Sequence, residues 1–281
     1  MLFTANIALR FTLIVLVALT ASCRGKGATR VSEFPSADQI LPVDITVVAW
    51  NVQKGKHPQF DKDLKVILKS EKPDIVFLQE ATADLFESGQ LGGYLAEGWR
   101  YPWPGGKAVG VLTLSRVPPV KIQPVPTKYR EFGVTAPKVS LVTEYPLPSG
   151  KKLLAVNVHL LNFERWSLKK ISHQLEDLKS IMAVHSGPIL MAGDFNTWNQ
   201  KRLQLVKKVS QQIKLKEVTD FPLGRKTGNM NSDFWHEVLG VDKGLPLDRF
   251  FFSGFEPADA RVLNFNSSDH TPILVRLKLK Y

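Results

Sequence analysis

Eight polar residues flank strand-like apolar runs of this 281-residue chain, and their side chains suit metal-assisted chemistry on phosphate. Six of them carry carboxylate or carboxamide oxygens, and two carry imidazoles. They are Asn51, Glu80, His159, Asp194, Asn196, Asp248, Asp269 and His270. Hard cations such as Mg²⁺ prefer oxygen ligands, and imidazole exchanges protons near neutral pH. The set therefore indicates a metal site that cleaves phosphate esters.

The apolar runs predict a common location for these residues. Residues 44–50 form a β-branched run that stops at Asn51, and residues 73–78 form a second run that stops just before Glu80. Four further runs follow the same logic: 152–158 before His159, 188–192 before Asp194, 246–252 around Asp248, and 273–279 after His270. Ligands of open α/β sheets bind at the carboxyl ends of the strands, so we expect one shared edge.

Helical patterns alternate with the strands in the first and middle thirds of the chain, at residues 61–71, 167–185 and 199–212. Ser167 is the expected N-cap of the second helix. With 44% hydrophobic residues, a chain of this length can bury one sizeable core. The sequence thus predicts a single α/β domain over residues 44–281.

Six short motifs resemble, in content and order, those of the endonuclease/exonuclease/phosphatase superfamily, whose members are DNase I-like metal-dependent phosphodiesterases and phosphomonoesterases. The motifs are Trp50-Asn51-Val52, Leu78-Gln79-Glu80, Asn157-Val158-His159-Leu160, Gly193-Asp194-Phe195-Asn196, Leu247-Asp248-Arg249-Phe250 and Ser268-Asp269-His270. Each string is short, but six in order across one domain are specific. The resemblance implies a four-layer α/β sandwich, in which two mixed β-sheets pack face to face with helices outside.

The resemblance also implies a metal site. Glu80 is the expected principal ligand of Mg²⁺, with Mn²⁺ as the alternative ion. Asn51 and Asp269 are expected to assist, the latter directly or through water. Magnesium keeps several waters, so one or two protein carboxylates suffice.

The remaining residues receive catalytic roles from the same resemblance. Asp194 is expected to orient or deprotonate the attacking water, and Asn196 to hold the phosphate. Asp248 is expected to fix the tautomer of His270, which binds the phosphate as a cation. His159 remains as the leaving-group acid or as a hydrogen-bond donor in the transition state.

Each of these residues also has a structural interpretation. Asn51 is of a type that caps turns after strands, the segment 194–196 is of a type that forms a turn, and His159 could be a core histidine. Taken singly, each functional role is no better supported than its structural alternative, whereas the joint occurrence favours function. The remaining histidines match none of the motifs and are expected to be structural or solvated: His57, His173, His185 and His236.

The first residues predict a location in a bacterial cell envelope. An apolar run at 11–20 follows Arg10 and precedes Ala21-Ser22-Cys23, which resembles a lipoprotein signal over residues 1–22 with Cys23 as the lipidated residue. Residues 23–43 then read as a tether. An ordinary signal peptide or a membrane anchor are the alternatives, although the run is short for a span of about 20 residues. We expect a lipid-anchored monomer on the outer membrane or the periplasmic face of a membrane.

The net positive charge of the chain favours a polyanionic substrate but does not distinguish nucleic acid from anionic lipid. Removal of residues 1–22 deletes only Arg10 among the charged residues, which leaves +10 of the formal net charge of +11. A basic surface attracts nucleic acid as well as anionic lipid. Several cations could overhang the expected site, or could equally form a solvated basic face toward an anionic membrane. They are Lys54 and Lys56 directly after Asn51, and Lys128, Arg130 and Lys138 in the middle segment.

Three functions remain open at this point. Nucleic acid is the first expected substrate, cleaved by an envelope-anchored endonuclease or related phosphodiesterase. The alternative is a phosphodiesterase or phosphatase for a lipid headgroup or a small phosphorylated molecule, for which the aromatic segment 99–106 is the candidate membrane contact. A catalytically silent binding lipoprotein is disfavoured, because every expected polar residue is present.

Overall fold

The structure of the protein is a computed structural model, and it describes residues 27–34, 39–85, 91–100, 107–130, 137–164, 167–219, 221, 242 and 245–280. Within these ranges the strands are β1 (Ala28–Ser32), β2 (Asp44–Asn51), β3 (Ile75–Thr82), β4 (Gly92–Arg100), β5 (Ala108–Ser115), β6 (Lys121–Arg130), β7 (Pro137–Pro146), β8 (Lys152–His159), β9 (Ile189–Asp194), β10 (Lys216–Glu217), β11 (Asp248–Ser253), β12 (Phe255–Val262) and β13 (Ile273–Leu279). The α-helices are α1 (Phe60–Glu71), α2 (Lys169–Ala183) and α3 (Gln200–Gln212).

The strands form two mixed sheets. One has the order β1-β4-β5-β3-β2-β13-β12, and the other has the order β10-β11-β9-β8-β7-β6. β2 is parallel to β3, and β8 is parallel to β9, whereas the other neighbours are antiparallel. Each sheet therefore has one parallel pair at its centre, and the carboxyl ends of those pairs carry four of the expected site residues.

The two sheets share one core, and the helices cover their outer faces. Val47 and Phe77 of the first sheet belong to the same apolar cluster as Leu190 and Phe250 of the second. A second cluster packs α1 on the first sheet, and a third packs α2 and α3 on the other sheet. The expected four-layer α/β sandwich is thus confirmed. Because the central strands are buried on both faces, they read as continuous apolar runs instead of alternating ones.

A buried amide pair joins the sheets beneath the expected site. Gln79 donates from Nε2 to Asn157 Oδ1 over 2.8 Å, and Asn157 donates from Nδ2 to the Leu112 carbonyl over 3.0 Å. Buried amides are costly unless they are hydrogen-bonded, so this pairing favours one relative position of the two sheets. The pair lies one residue before Glu80 on β3 and two before His159 on β8.

The prediction of a tether over residues 23–43 is wrong for part of that range. β1 pairs antiparallel with β4 at the edge of the seven-stranded sheet, and Ala28 lies opposite Ala96. Leu41 is fully buried, and its N–H donates to the Pro146 carbonyl over 3.0 Å. β1 could not be predicted from an apolar pattern in the sequence, because an edge strand needs no long apolar run. Residues 1–26, with the expected signal and Cys23, lie outside the described residues.

The helix ends differ slightly from the expected ones. α2 begins at Lys169, and Ser167 is not its N-cap. Instead, the Glu164 carboxylate accepts from the N–H groups of Lys170 and Ile171 over 2.9 and 3.0 Å. A carboxylate six residues upstream leaves no local capping signature in the sequence. Within the described ranges, every helix is too short or too polar to cross a membrane.

Candidate active site

The structure brings the expected site residues to one edge of the sandwich. Asp194 lies opposite His159 across the β8–β9 pair and opposite Asp248 across the β9–β11 pair. In the other sheet, Asn51 lies opposite Gln79, directly before Glu80. Most of these side chains are buried, whereas Glu80 and Asp269 are partly exposed. The edge is therefore a polar site with two carboxylates open to solvent.

The Asp194 side chain contacts three other residues of this site. Its Oδ2 accepts from Asn51 Nδ2 over 2.9 Å, and its Oδ1 accepts from the Asn196 N–H over 2.9 Å. His159 Nε2 lies 3.5 Å from the same Oδ2. The Asn51 contact crosses from one sheet to the other. Asp194 therefore links residues of both sheets and is held in one orientation by two donors.

The backbone around Asp194 requires unusual residues. Gly193 has φ 138°, and a Cβ at that position would lie 2.1 Å from the Val158 carbonyl oxygen, so only glycine fits. Asn196 adopts a left-handed φ of 49°, a conformation that asparagine tolerates better than most residues. Its Nδ2 donates to the Leu160 carbonyl over 2.9 Å. The Gly-Asp-Phe-Asn motif is thus a strand end whose geometry fixes two polar side chains.

Glu80 leaves the regular strand and points into the site. The pairing of β3 with β5 shifts between Gln79 and Ala81, so Glu80 is the extra residue of a β-bulge, with φ 51°. Bulges next to active sites re-aim a side chain. The carboxylate accepts from Lys54 Nζ over 2.7 Å, and Lys138 Nζ lies 4.0 Å from its other oxygen.

The lysines decide the ionisation of Glu80. Burial raises the pKa of its carboxyl, but Lys138, His159 and Lys54 outweigh burial and lower the pKa to about 2. Glu80 is therefore an anion throughout the physiological pH range. A carboxylate that is ionised at every physiological pH, and that lies at the mouth of the site, can bind a cation.

His159 is neutral in this environment. Burial, followed by the positive charge of Lys138, lowers the pKa of its imidazole to about 4, although Asp194 and Glu80 oppose the shift. Lys138 Nζ lies 3.0 Å from His159 Nε2, and Nε2 accepts in that contact because an ammonium has no lone pair. The two expected roles of His159 are leaving-group acid and hydrogen-bond donor in the transition state. A neutral imidazole has no extra proton to give to the leaving group, so the second role suits it better.

His270 has the opposite character. Burial lowers the pKa of its imidazole, but Asp248, whose Oδ2 lies 2.7 Å from His270 Nδ1, outweighs burial and raises the pKa to about 10. The His270 carbonyl accepts from Trp50 Nε1 over 2.9 Å, and Ser268 Oγ donates to the Asn51 carbonyl over 2.7 Å. These contacts hold a buried imidazolium beside the end of β2, where it can bind an anion.

The donor set fits a hard divalent cation at Glu80. Among the described residues, no group of three or more His, Cys, Asp and Glu side chains has the geometry of a metal site. Magnesium does not require such a group, because one or two carboxylates and an amide oxygen suffice. Glu80, Asn51 and Asp269 are the residues that could supply these oxygens, and the Glu80 carboxylate already accepts from one cation, the Lys54 ammonium, over 2.7 Å.

Sequence reasoning missed Gln174 of α2, which positions the end of β8. Gln174 is buried, donates from Nε2 to the His159 carbonyl over 2.9 Å, and accepts from the Leu161 N–H over 3.2 Å. The available signal was a polar residue inside the apolar face of the helix, at helical spacing from Ile171 and Leu178.

We expect Gln174→Leu to lower the free energy of unfolding by about 1–3 kcal/mol, because two buried backbone groups lose their partner. Urea denaturation measures this loss. Asp177→Asn, on the exposed face of the same helix, serves as the control and should stay within about 0.5 kcal/mol of the unsubstituted protein. Equal stability of both variants would show that the Gln174 amide does not hold the strand end.

The other histidines that the structure describes have ordinary contacts. His57 Nδ1 accepts from the Gln59 N–H, His173 packs on the Tyr129 ring, and His185 Nε2 contacts the Lys152 carbonyl. They are accordingly structural or solvated residues. His236 and residues 101–106 of the aromatic segment lie outside the described ranges.

Comparison with known proteins identifies the family of the chain. Residues 48–270 match the Endonuclease/Exonuclease/phosphatase family. The chain is similar to the UPF0294 protein of Vibrio campbellii, with 30% identity over 245 residues that cover 86% of this chain and 80% of that protein.

Solved structures share the fold. An endonuclease/exonuclease/phosphatase from Beutenbergia cavernae has 17% identity and a TM-score of 0.60, over 84% of this chain and 72% of that chain. ANGEL2, a 2′,3′-cyclic phosphatase, has 16% identity and a TM-score of 0.63, over 91% of this chain and 99% of that chain. Since the family match spans most of the sequence, from β2 to His270, the chain belongs to the endonuclease/exonuclease/phosphatase family.

Proposed function

We propose that the protein is a divalent-metal-dependent hydrolase of phosphate esters that acts in the bacterial cell envelope. The observation that carries this proposal is the Asp194 cluster, in which a buried carboxylate contacts Asn51, Asn196 and His159 beside the anionic Glu80. Such a cluster has little value for stability, because buried charged groups cost free energy unless they are fully paired. Family membership supports phosphate ester hydrolysis as its use.

In the proposed mechanism, Glu80, Asn51 and Asp269 would hold Mg²⁺ or Mn²⁺. The ion would supply neutralisation of the charge on the phosphate and on the leaving oxygen. Asp194 orients the attacking water and accepts its proton, and the donors on its two oxygens fix the direction of approach.

Three side chains act on the phosphate itself. Asn196 holds a non-bridging oxygen with its carboxamide. The His270 imidazolium, kept charged by Asp248, binds another oxygen and stabilises the charge that develops in the transition state. His159 donates a hydrogen bond to the leaving side. If Nε2 is the donor, this role requires Lys138 to move away from Nε2 when substrate binds and the neutral imidazole to carry its proton on Nε2 instead of Nδ1.

Nucleic acid is the first substrate class that we propose, since the chain carries excess positive charge and two lysines contact the site. ANGEL2 is a cyclic phosphatase with this fold, which supports chemistry on ribonucleotide phosphates. The second candidate is a phosphate ester of a lipid or small molecule. The position of β1 supports it, because Ala28, the first residue of that strand, lies in one row of the sheet with Gln79 beside the site. We further propose that the protein is a monomer.

Hydrolysis by the full-length chain in detergent tests the proposal. The substrates are plasmid DNA, RNA, bis-p-nitrophenyl phosphate, p-nitrophenyl phosphate and sphingomyelin, each with Mg²⁺ and with EDTA. We expect hydrolysis that EDTA stops, with nucleic acid cleaved fastest. Activity confined to sphingomyelin or a small ester would select the second class. Absence of metal-dependent hydrolysis on all five would contradict the proposed function.

A further inference from the structure

Lys54 and Glu80 form an ion pair at the proposed metal site. The two side chains meet at 2.7 Å, and both are partly exposed, at 27% and 23%. Lys138, at 4.0 Å, adds a second positive charge. A divalent cation that binds Glu80 has to displace the nearer ammonium, because both compete for the same carboxylate oxygens.

The backbone that presents Lys54 is strained. Gln53 and Lys54 have left-handed φ values of 47° and 65°, and Glu80, the partner of Lys54, has a φ of 51°. The loop is pinned by Gly55, whose N–H donates to the Val52 carbonyl over 2.8 Å. Neither glutamine nor lysine favours this region, and strain of this kind concentrates at functional sites.

Stability does not account for this strain. A partly exposed ion pair contributes little to folding, whereas two consecutive left-handed residues oppose it. A glycine at position 54 would relieve the strain and lose the ammonium. A lysine at a position that glycine would occupy with less strain therefore points to a use for the ammonium.

We propose that Lys54 is the exchangeable counter-ion of Glu80. In the absence of metal it neutralises the carboxylate; when a divalent cation binds Glu80, the ammonium is displaced and binds the phosphate of the substrate. This inference rests on the proposed function, since it requires a metal at Glu80. By linkage, metal and phosphate then promote each other's binding.

Metal binding tests the inference without any measurement of turnover. The probe is Mn²⁺, whose free concentration is followed by electron paramagnetic resonance, with the full-length chain in detergent. Lys54→Met should lower the Kd for Mn²⁺ on the order of tenfold, because the competing ammonium is gone. Lys56→Met, an exposed lysine of the same loop, removes one charge without that contact and should change the Kd much less.

Phosphate binding provides the second measurement. With saturating Mn²⁺, Lys54→Met should weaken the binding of inorganic phosphate by about tenfold, and Lys56→Met should not. Lys54→Gly should give the same two results and a melting temperature at or above that of the unsubstituted protein. Lower melting temperatures with unchanged phosphate binding would overturn the inference and make Lys54 a structural residue.

Glu80→Gln distinguishes failure of the counter-ion role of Lys54 from failure of the proposed metal site at Glu80. If it abolishes Mn²⁺ binding while Lys54→Met behaves like Lys56→Met, the counter-ion inference fails and the metal site of the proposed function stands. If Glu80→Gln leaves Mn²⁺ binding unchanged, the metal site at Glu80 fails and the inference fails with it.

Discussion

Glu80→Gln should reduce metal-dependent hydrolysis by about 10³-fold or more, because metal catalysis contributes several kcal/mol and each 1.4 kcal/mol is tenfold in rate. Glutamine keeps the size of the side chain but removes the charge that binds the cation. The β-bulge keeps the side chain aimed into the site. The measurement is kcat/KM for the best substrate at several Mg²⁺ concentrations.

The control for this prediction is Glu256→Gln on β12, an exposed carboxylate paired with Lys280 outside the site. It should leave kcat/KM and its metal dependence unchanged. Glu256→Gln should unfold at a temperature close to that of the unsubstituted protein, whereas Glu80→Gln should fold but unfold at a lower temperature, because the Glu80 charge is stabilised in the folded state. Full turnover by Glu80→Gln would remove Glu80 from the metal site.

Asp194→Asn has the second largest expected effect. The substitution removes the proton acceptor and replaces one acceptor oxygen by an NH₂ group, which then faces either Asn51 Nδ2 or the Asn196 N–H. We expect kcat to fall about 10²–10⁴-fold, the range for loss of a general base, with a small change in KM. Steady-state kinetics on bis-p-nitrophenyl phosphate measures both values.

The Mn²⁺ affinity of the same variant distinguishes a base from a ligand. If Asp194 activates water, Asp194→Asn retains the Kd for Mn²⁺ within a few-fold. A loss of Mn²⁺ binding as large as that of Glu80→Gln would instead make Asp194 a metal ligand. An unchanged kcat would leave Asp194 with a structural role between the two sheets.

The sequence predicted the edge on which the site lies because the central strands are buried on both faces. Their apolar runs end abruptly, and a polar residue at such an end must face solvent or other polar groups. Asn51, His159 and Asp194 follow directly from this rule. Their spacing along separate strands also explains why the pairing of β8 with β9 places His159 opposite Asp194.

Other parts of the site depend on three-dimensional contacts that leave no local pattern. The bulge at Glu80 arises from its pairing with β5, not from a glycine or proline in β3. Gln174 donates to the carbonyl of His159, which precedes it in the chain, and Glu164 accepts from the N–H of Lys170, which follows it. The neutral state of His159 results from burial next to Lys138, which lies on another strand. Each of these features requires knowledge of the neighbours in space.

The position of the edge strand β1 limits the distance between the active site and a lipid anchor on Cys23. Ala28 lies in one row across the sheet with Ala96, Val111 and Gln79. Three strand spacings of about 4.8 Å put Ala28 roughly 14 Å from Gln79. Four residues lie between Cys23 and Ala28, so five Cα–Cα steps join them, a length of at most about 18 Å whatever its path. With a lipid on Cys23, as proposed, catalysis is confined to a layer about 30 Å deep above the anchoring membrane, and distant substrates must diffuse into it.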